Sequence, residues 1–246
     1  MLRHVFFDLD STLTPSRALM RAPHVPLFER LCAQCDVIVV TGQKEDQILN
    51  QIPVEHTGNY YIMSQQGNYV VGKDGSLLWH ETVTPAQEAV VRPFALQLTE
   101  EFVAMKQLAI PDRKDIFENR GGQFAASVLG FHAPNELKYA VDPDQSIRRG
   151  LLAKHPDEIK ALRAVGIEDM PAGTTTFDFI LLGKNKGSNI ARLIEHEGWQ
   201  KDECLYLGDA LFKGGNDESV IGIIPTRAVK DPDDTFDFIK NSVLSS

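Results

Sequence analysis

The chain has 246 residues, 43% of them hydrophobic, and a formal net charge of −9. That length suffices for one large domain or two modest ones, each with a core, while the acidic balance argues against a surface that grips a nucleic-acid backbone. No apolar run approaches the roughly 20 residues that span a bilayer, and the start lacks the long apolar region of a secretory signal, so the sequence reads as cytoplasmic, with neither nucleic acid nor membrane as partner.

In chain order, HVFFDLD is a β-rich run ending in acid, and PHVPLFERLCAQC has helical spacing behind two prolines. DVIVVTG is a continuous apolar run stopped by Thr-Gly, EDQILNQI a short amphipathic helix, and YYIMSQQG another strand. Strand, helix, strand, helix, strand is the signature of a parallel sheet covered on both faces. YVVGKDGSLLWHETV then reads as a hairpin turned at Lys73-Asp74-Gly75. Cys32 and Cys35 fall in the first helix, and no second Cys or His pair stands at ligand spacing, so they read as packing residues.

The middle has another style. TPAQEAVVRPFALQLTEEFVAMKQL is a long helical pattern whose Arg92-Pro93 predicts a break or kink. DIFENRGG and QFAASVLGF predict two antiparallel strands about a glycine turn, PDEIKALRAVGI a helix and TTTFDFILLG a strand. After Gly183 the first style returns: KGSNIARLIEHEGW is amphipathic, ECLYLGDA and IGIIPT read as strands, and DPDDTFDFIKNSV as a closing helix with an acidic start. The expected organisation is an α/β core in two parts, 1–82 and 184–246, with an α+β domain at 83–183 inserted and hinges near residues 82 and 183.

Ligands of an open α/β sheet gather at the carboxyl ends of its strands. Four core strands end in polar signals: Asp8-Leu9-Asp10-Ser11-Thr12, Thr41-Gly42, Ser64-Gln65-Gln66-Gly67 and Gly208-Asp209. Lys186 opens the helix after the insertion. Asp8, Asp10 and Asp209 are costly together unless a cation neutralises them. An all-oxygen site of this kind suits Mg²⁺, which takes few carboxylates and keeps positions for a substrate phosphate. A shielded carboxylate can attack phosphorus and form an aspartyl-phosphate, with Thr41, Gly42 and Lys186 holding the phosphoryl oxygens.

These segments, with Gly214-Gly215-Asn216-Asp217 after Asp209, resemble the four motifs of the haloacid dehalogenase (HAD) phosphotransferase superfamily. The insertion resembles its C2B cap, which implies a Rossmann-like parallel-sheet core with an α+β cap. FFDLDSTLTPSR, GTTTFDFILLGKNKGSNI, GDALFKGGNDESV and DPDDTF are similar to the eukaryotic-type phosphomannomutase branch. The resemblance implies Asp8 as nucleophile and metal ligand, and Asp10 as general acid/base whose backbone carbonyl also binds Mg²⁺. It further implies Asp209 as metal ligand, and Asp217 as a partner of the metal, directly or through another ligand. Arg17 is similar to a phosphosugar-contacting residue. Arg120 matches the first of several cap arginines that grip a distal phosphate, and Thr176 with Asp178 matches a Ser-Asp pair.

Several positions depart from the branch. The second arginine position holds Phe131, the third Lys138, a family asparagine is Ala125, and Ser11 replaces the usual glycine of the first motif. Losing a bidentate guanidinium weakens phosphate recognition beyond its charge. The expected activity is therefore hydrolysis of a phosphosugar, with the hexose 1-/6-phosphate mutase reaction as the alternative. A remoter alternative is a non-enzymatic phospho-acceptor such as a receiver domain, which the chain exceeds about twofold in length. The resemblance also implies a homodimer through the cap.

Overall fold

The first strand, β1 (His4–Phe7), forms because HVFF is β-branched and aromatic, and all four of its residues are buried. The structure is a computed structural model that describes residues 2–244. After β1 come α1 (Val25–Gln34), β2 (Asp36–Val40), α2 (Glu45–Gln51), β3 (Tyr60–Ser64), β4 (Tyr69–Val71) and β5 (Leu77–His80). An inserted stretch follows with α3 (Pro85–Lys106), α4 (Arg113–Ile116), β6 (Phe117–Asn119), β7 (Gln123–Ser127), α5 (Asn135–Val141), α6 (Ser146–Ala153), α7 (Pro156–Ala164), β8 (Ile167–Ala172) and β9 (Thr176–Leu181). The chain closes with α8 (Lys186–Glu197), β10 (Cys204–Gly208), β11 (Thr226–Ala228) and α9 (Pro232–Phe238). Thr82–Gly183 is one compact unit, and the chain on either side of it forms another.

The flanking unit holds a seven-stranded sheet in the order β11-β10-β1-β2-β3-β4-β5. β11, β10, β1, β2 and β3 run parallel, and β4 and β5 add an antiparallel edge. Both faces are covered, which explains strands without polar interruption. Val5, Phe7, Val37, Val39 and Ile62 pack with α1, α2 and α9 residues on one face. Phe6, Ile38, Val40 and Met63 pack with Ile190, Leu193 and Ile194 of α8 on the other. From β1 the chain winds one way through β2 and β3, and the last segment adds β10 and β11 on the opposite side. The order thus reverses between β1 and β10, the place where such sheets bind ligands.

The inserted unit has a four-stranded antiparallel sheet, β6-β7-β9-β8. Phe124, Ala126, Phe177 and Phe179 face Phe94, Leu98 and Phe102 of α3 in one apolar cluster. Strand alternation puts Gln123, Ala125, Ser127, Thr176 and Asp178 on the other face, with Ala125 opposite Asp178 and Ser127 opposite Thr176.

Two of the predicted elements come out differently, and α4, α5, α6 and β8 are not predicted at all. The break or kink predicted at Pro93 does not divide the helix, because α3 runs unbroken from Pro85 to Lys106. A reciprocal cap at its start, Gln87 N–H to Thr84 Oγ1 at 3.2 Å and Thr84 N–H to Gln87 Oε1 at 2.8 Å, and its buried apolar row outweigh one lost hydrogen bond. The strand predicted at IGIIPT starts only at Thr226, since Gly222 takes a left-handed φ of 86° and Pro225 has no N–H to give.

Candidate active site

Asp8 follows the last residue of β1, Thr41 follows β2 and Asp209 follows β10, so three parallel strands deliver three polar residues to one edge. Lys186 opens α8, whose N-cap is the Asn185 side chain, accepting Ser188 N–H at 3.0 Å. The backbone of Asp8 is tied to β10 by its N–H to Leu207 O at 3.0 Å. The Thr12 hydroxyl accepts the Asp209 N–H at 3.1 Å, joining the two acidic loops.

At the centre, the fully buried Lys186 ammonium donates to Asp8 Oδ1 at 2.5 Å and to Asp217 Oδ1 at 2.7 Å. It also donates to the Tyr206 hydroxyl at 3.3 Å, which in turn donates to Asp217 Oδ1 at 2.7 Å. Asp217 Oδ2 accepts the Ala210 N–H at 3.2 Å. Gly208 permits this packing, because a β-carbon there would overlap the Asp217 carboxylate.

Asp8, Asp209 and Asp217 each offer an oxygen, and the three lie within 4.8 Å of one another. Among the described residues these three are the group of possible metal ligands. Burial pushes the Asp8 carboxyl well above the usual range, the Lys186 ammonium opposes that rise, and Asp217 and Asp209 add to it. Asp209 is pushed up to about 6 by burial and by Asp217. Burial favours the neutral form of Lys186, but Asp217 and Asp8 outweigh it and hold the group protonated. Three carboxylates around one ammonium leave a net negative cluster that favours proton uptake. A small hard cation relieves the same excess, and the all-oxygen donor set fits Mg²⁺.

Asp10 stands apart from this trio. One of its carboxylate oxygens accepts the Arg17 backbone N–H at 2.7 Å, and the other accepts the Gln43 side-chain amide. Arg17 is exposed and its backbone is left-handed, with φ 53°. Burial raises the Asp10 carboxyl from its ordinary value, against the hydrogen bond from Arg17. Ser11, in place of glycine, takes φ 62°, a strained value for a residue with a β-carbon. Thr41 is buried and its hydroxyl accepts Gln43 N–H at 3.2 Å, and Gly42 lies half-buried beside it.

The remaining candidates belong to the inserted unit. Arg120 is buried, pairs with Glu118 at 2.9 Å and lies over the Phe131 ring at 5.5 Å. Lys138 donates to the Phe131 carbonyl at 2.6 Å. Asp178 accepts the Gln123 amide at 3.2 Å, and the Thr176 carbonyl accepts Arg148 at 2.7 Å. Cys32 belongs to the apolar core, and burial pushes its thiol up to about 12.

Sequence reasoning passed over Tyr206, Gln43 and Gln51. Tyr206 had a usable signal: a tyrosine inside an otherwise apolar buried strand must find a partner for its hydroxyl.

No known family model matches the chain. The phosphomannomutase of Glycine max is 25% identical over 255 residues, covering 98% of this chain and 96% of that protein. The phosphomannomutase of Triticum aestivum is 26% identical, covering 97% and 94%. Among solved structures, an IMP-nucleotidase of Plasmodium falciparum superposes with a TM-score of 0.70 at 14% identity, over 97% of this chain and 67% of that one. A haloacid dehalogenase-like hydrolase of Bacteroides thetaiotaomicron gives 0.60 at 13% identity, over 98% and 99%. Sequence and fold together make the chain similar to the haloacid dehalogenase superfamily. It is a phosphotransferase enzyme; haloacid dehalogenase-like enzymes generally use Mg²⁺, and the enzyme relatives act on small phosphorylated substrates. No helix among the described residues is long and apolar enough to cross a membrane.

Proposed function

We propose that the chain is a Mg²⁺-dependent phosphatase that hydrolyses a phosphosugar through an aspartyl-phosphate on Asp8. The observation that carries this reading is Asp8 itself, a buried carboxylate at the switch point, fixed through one oxygen by Lys186. An Asp8 oxygen attacks phosphorus, the bond from phosphorus to the sugar oxygen breaks, and that oxygen takes the proton of the Asp10 carboxyl. Water then attacks the phosphoryl group, Asp10 takes a proton from that water, and phosphate leaves Asp8 restored. Mg²⁺ held by Asp8, Asp209 and Asp217, with the Asp10 backbone carbonyl as a further ligand, would supply charge that keeps Asp8 ionised beside an anionic substrate. Thr41, Gly42 and Lys186 hold phosphoryl oxygens, and Arg17 reaches the sugar phosphate. The unit Thr82–Gly183 supplies substrate specificity through Arg120, Lys138, Thr176 and Asp178.

Hydrolysis is favoured because that unit engages its candidate cations internally. Arg120 pairs with Glu118 and Lys138 bonds the Phe131 carbonyl, which weakens a grip on a distal phosphate. The second reading is the mutase reaction, and it draws its support from the name carried by the near-full-length relatives. Mannose 1-phosphate with Mg²⁺, with and without a hexose 1,6-bisphosphate, separates the two. Free phosphate is the expected result. Activator-dependent formation of the 6-phosphate would assign the mutase, and inertness toward a panel of phosphosugars would overturn the substrate class.

A further inference from the structure

Asp10 is gripped by a line of side chains to which none of the roles above assigns a part. Its carboxylate accepts the Gln43 amide, the Gln43 carbonyl accepts the Gln51 amide at 3.1 Å, and the Gln51 carbonyl accepts the Thr14 hydroxyl at 2.8 Å. The donors all point one way, from Thr14 toward Asp10. Gln43, Gln51 and Thr14 are each buried. The Gln43 backbone is pinned as well, its N–H on Thr41 Oγ1 at 3.2 Å and its carbonyl accepting Gln65 N–H at 2.8 Å.

Stability alone does not call for such a line. Gln51 shares the buried side of α2 with Ile48, and the next residue, Ile52, joins the same apolar core. An apolar side chain there would need no partners, whereas a buried amide group left unpaired is costly. Two consecutive buried amides therefore depend on one another, and their line ends on a carboxylate that must aim a proton. The other support of Asp10, the Arg17 N–H, comes from an exposed residue.

We propose that Gln43, keyed by Gln51 and Thr14, is a positioning residue that aims the Asp10 carboxyl at the leaving oxygen during the first phosphoryl transfer. This rests on the reading of Asp10 as general acid/base. The proton moves from the Asp10 carboxyl to the departing oxygen as the bond from phosphorus breaks, so a misaimed carboxyl matters most when that oxygen is a poor leaving group. A well-placed general acid is worth about 10²–10⁴-fold, and a misplacement near 1 Å can cost about 10²-fold.

The test uses the full chain with Mg²⁺ and a series of phosphate esters, from p-nitrophenyl phosphate, whose leaving group needs no proton, through phenyl phosphate to a hexose 6-phosphate. Gln43→Met is expected to keep kcat/KM on p-nitrophenyl phosphate, which reports the first transfer and not the shared hydrolysis step, within about 3-fold, and to lose about 10–100-fold in kcat/KM on the poor leaving groups. Gln51→Leu, one bond further away, is expected to shift the series in the same direction by less. Should Gln43→Met fail to fold, as its melting curve shows, Gln51→Leu carries the test. Equal losses of kcat/KM across the series overturn the proposal. Asp10→Asn is the control. If it discriminates between leaving groups while Gln43→Met does not, the positioning role alone is wrong. If it lowers kcat/KM alike on all esters, the acid role of Asp10 fails and the inference falls with it.

Discussion

The inserted unit buries Arg148 against Asp142 at 2.8 Å, and the flanking unit buries Lys186 against Asp8 at 2.5 Å and Asp217 at 2.7 Å. Both cations are fully buried, yet their surroundings differ in kind. Arg148 has one carboxylate and gives its other donors to the carbonyls of Ala172, Gly173 and Thr176, at 2.7, 3.1 and 2.7 Å. The Asp142 oxygens also accept the N–H groups of Ile147 and Arg148 at 3.0 and 3.3 Å. Charge and hydrogen bonds balance there, and the cluster ties α6 to the turn between β8 and β9. Around Lys186 there are more acids than one ammonium neutralises. A balanced buried cluster is structural, whereas an unbalanced one has a vacancy in its charge that a ligand can fill.

Substitutions can break or sharpen that contrast. The largest effect is expected for Asp8→Asn, which keeps size and fold and removes the attacking oxygen. Steady-state turnover should drop by at least about 10³-fold, and undiminished turnover would reduce the Lys186 cluster to another structural ion pair. Next comes Arg148→Met, which strands the Asp142 charge and should lower unfolding stability in urea by about 3–5 kcal/mol. Adding Asp142→Leu should recover the part of that loss due to the stranded charge but not the part due to the carbonyls of Ala172, Gly173 and Thr176, and a double variant as unstable as the single would contradict a charge-paired cluster.

The smallest effect concerns Asp209. Burial and the neighbouring Asp217 push its carboxyl up to about 6 from 3.8 for the free group, so folding favours its protonated form. Its ionisation therefore costs stability as pH rises from about 4 to about 6, and the whole cost is present at neutral pH. Asp209→Asn should raise the metal-free melting temperature at neutral pH by about 2–4 °C. Stabilisation of the wild type by Mg²⁺ should grow as pH rises through about 6. A melting temperature lowered by Asp209→Asn, or a Mg²⁺ response independent of pH, would remove the charge imbalance from the account.

The sheet and its polar strand ends were legible in the sequence because each core strand is an unbroken apolar run stopped by a polar residue. HVFF before Asp8 and CLYLG before Asp209 carry that pattern. Elements whose sequence speaks against them were not legible. β8 reads IEDMPA, with acids and Pro171 inside it, and it exists as an edge strand where proline is tolerated. α6 reads SIRRGLLA, and two arginines ahead of a glycine suggest a solvated turn. Arg148 is instead the largest fully buried side chain, a consequence of carbonyls supplied from more than twenty residues away. Tertiary partners decide such positions. The same holds for Gln43 and Gln51, whose partners come from separate segments.

β1 and β10 pair directly, His4 opposite Cys204 and Phe7 opposite Leu207, although about two hundred residues separate them along the chain. This contact is among the most non-local a chain of this length can make, and such pairings are slow to form. It also governs when chemistry becomes available during synthesis. The proposed nucleophile Asp8 is synthesised far ahead of Lys186, Asp209 and Asp217. A nascent chain that has not yet paired β10 with β1 carries Asp8 without those charge partners, so the proposed phosphoryl transfer would wait on that docking.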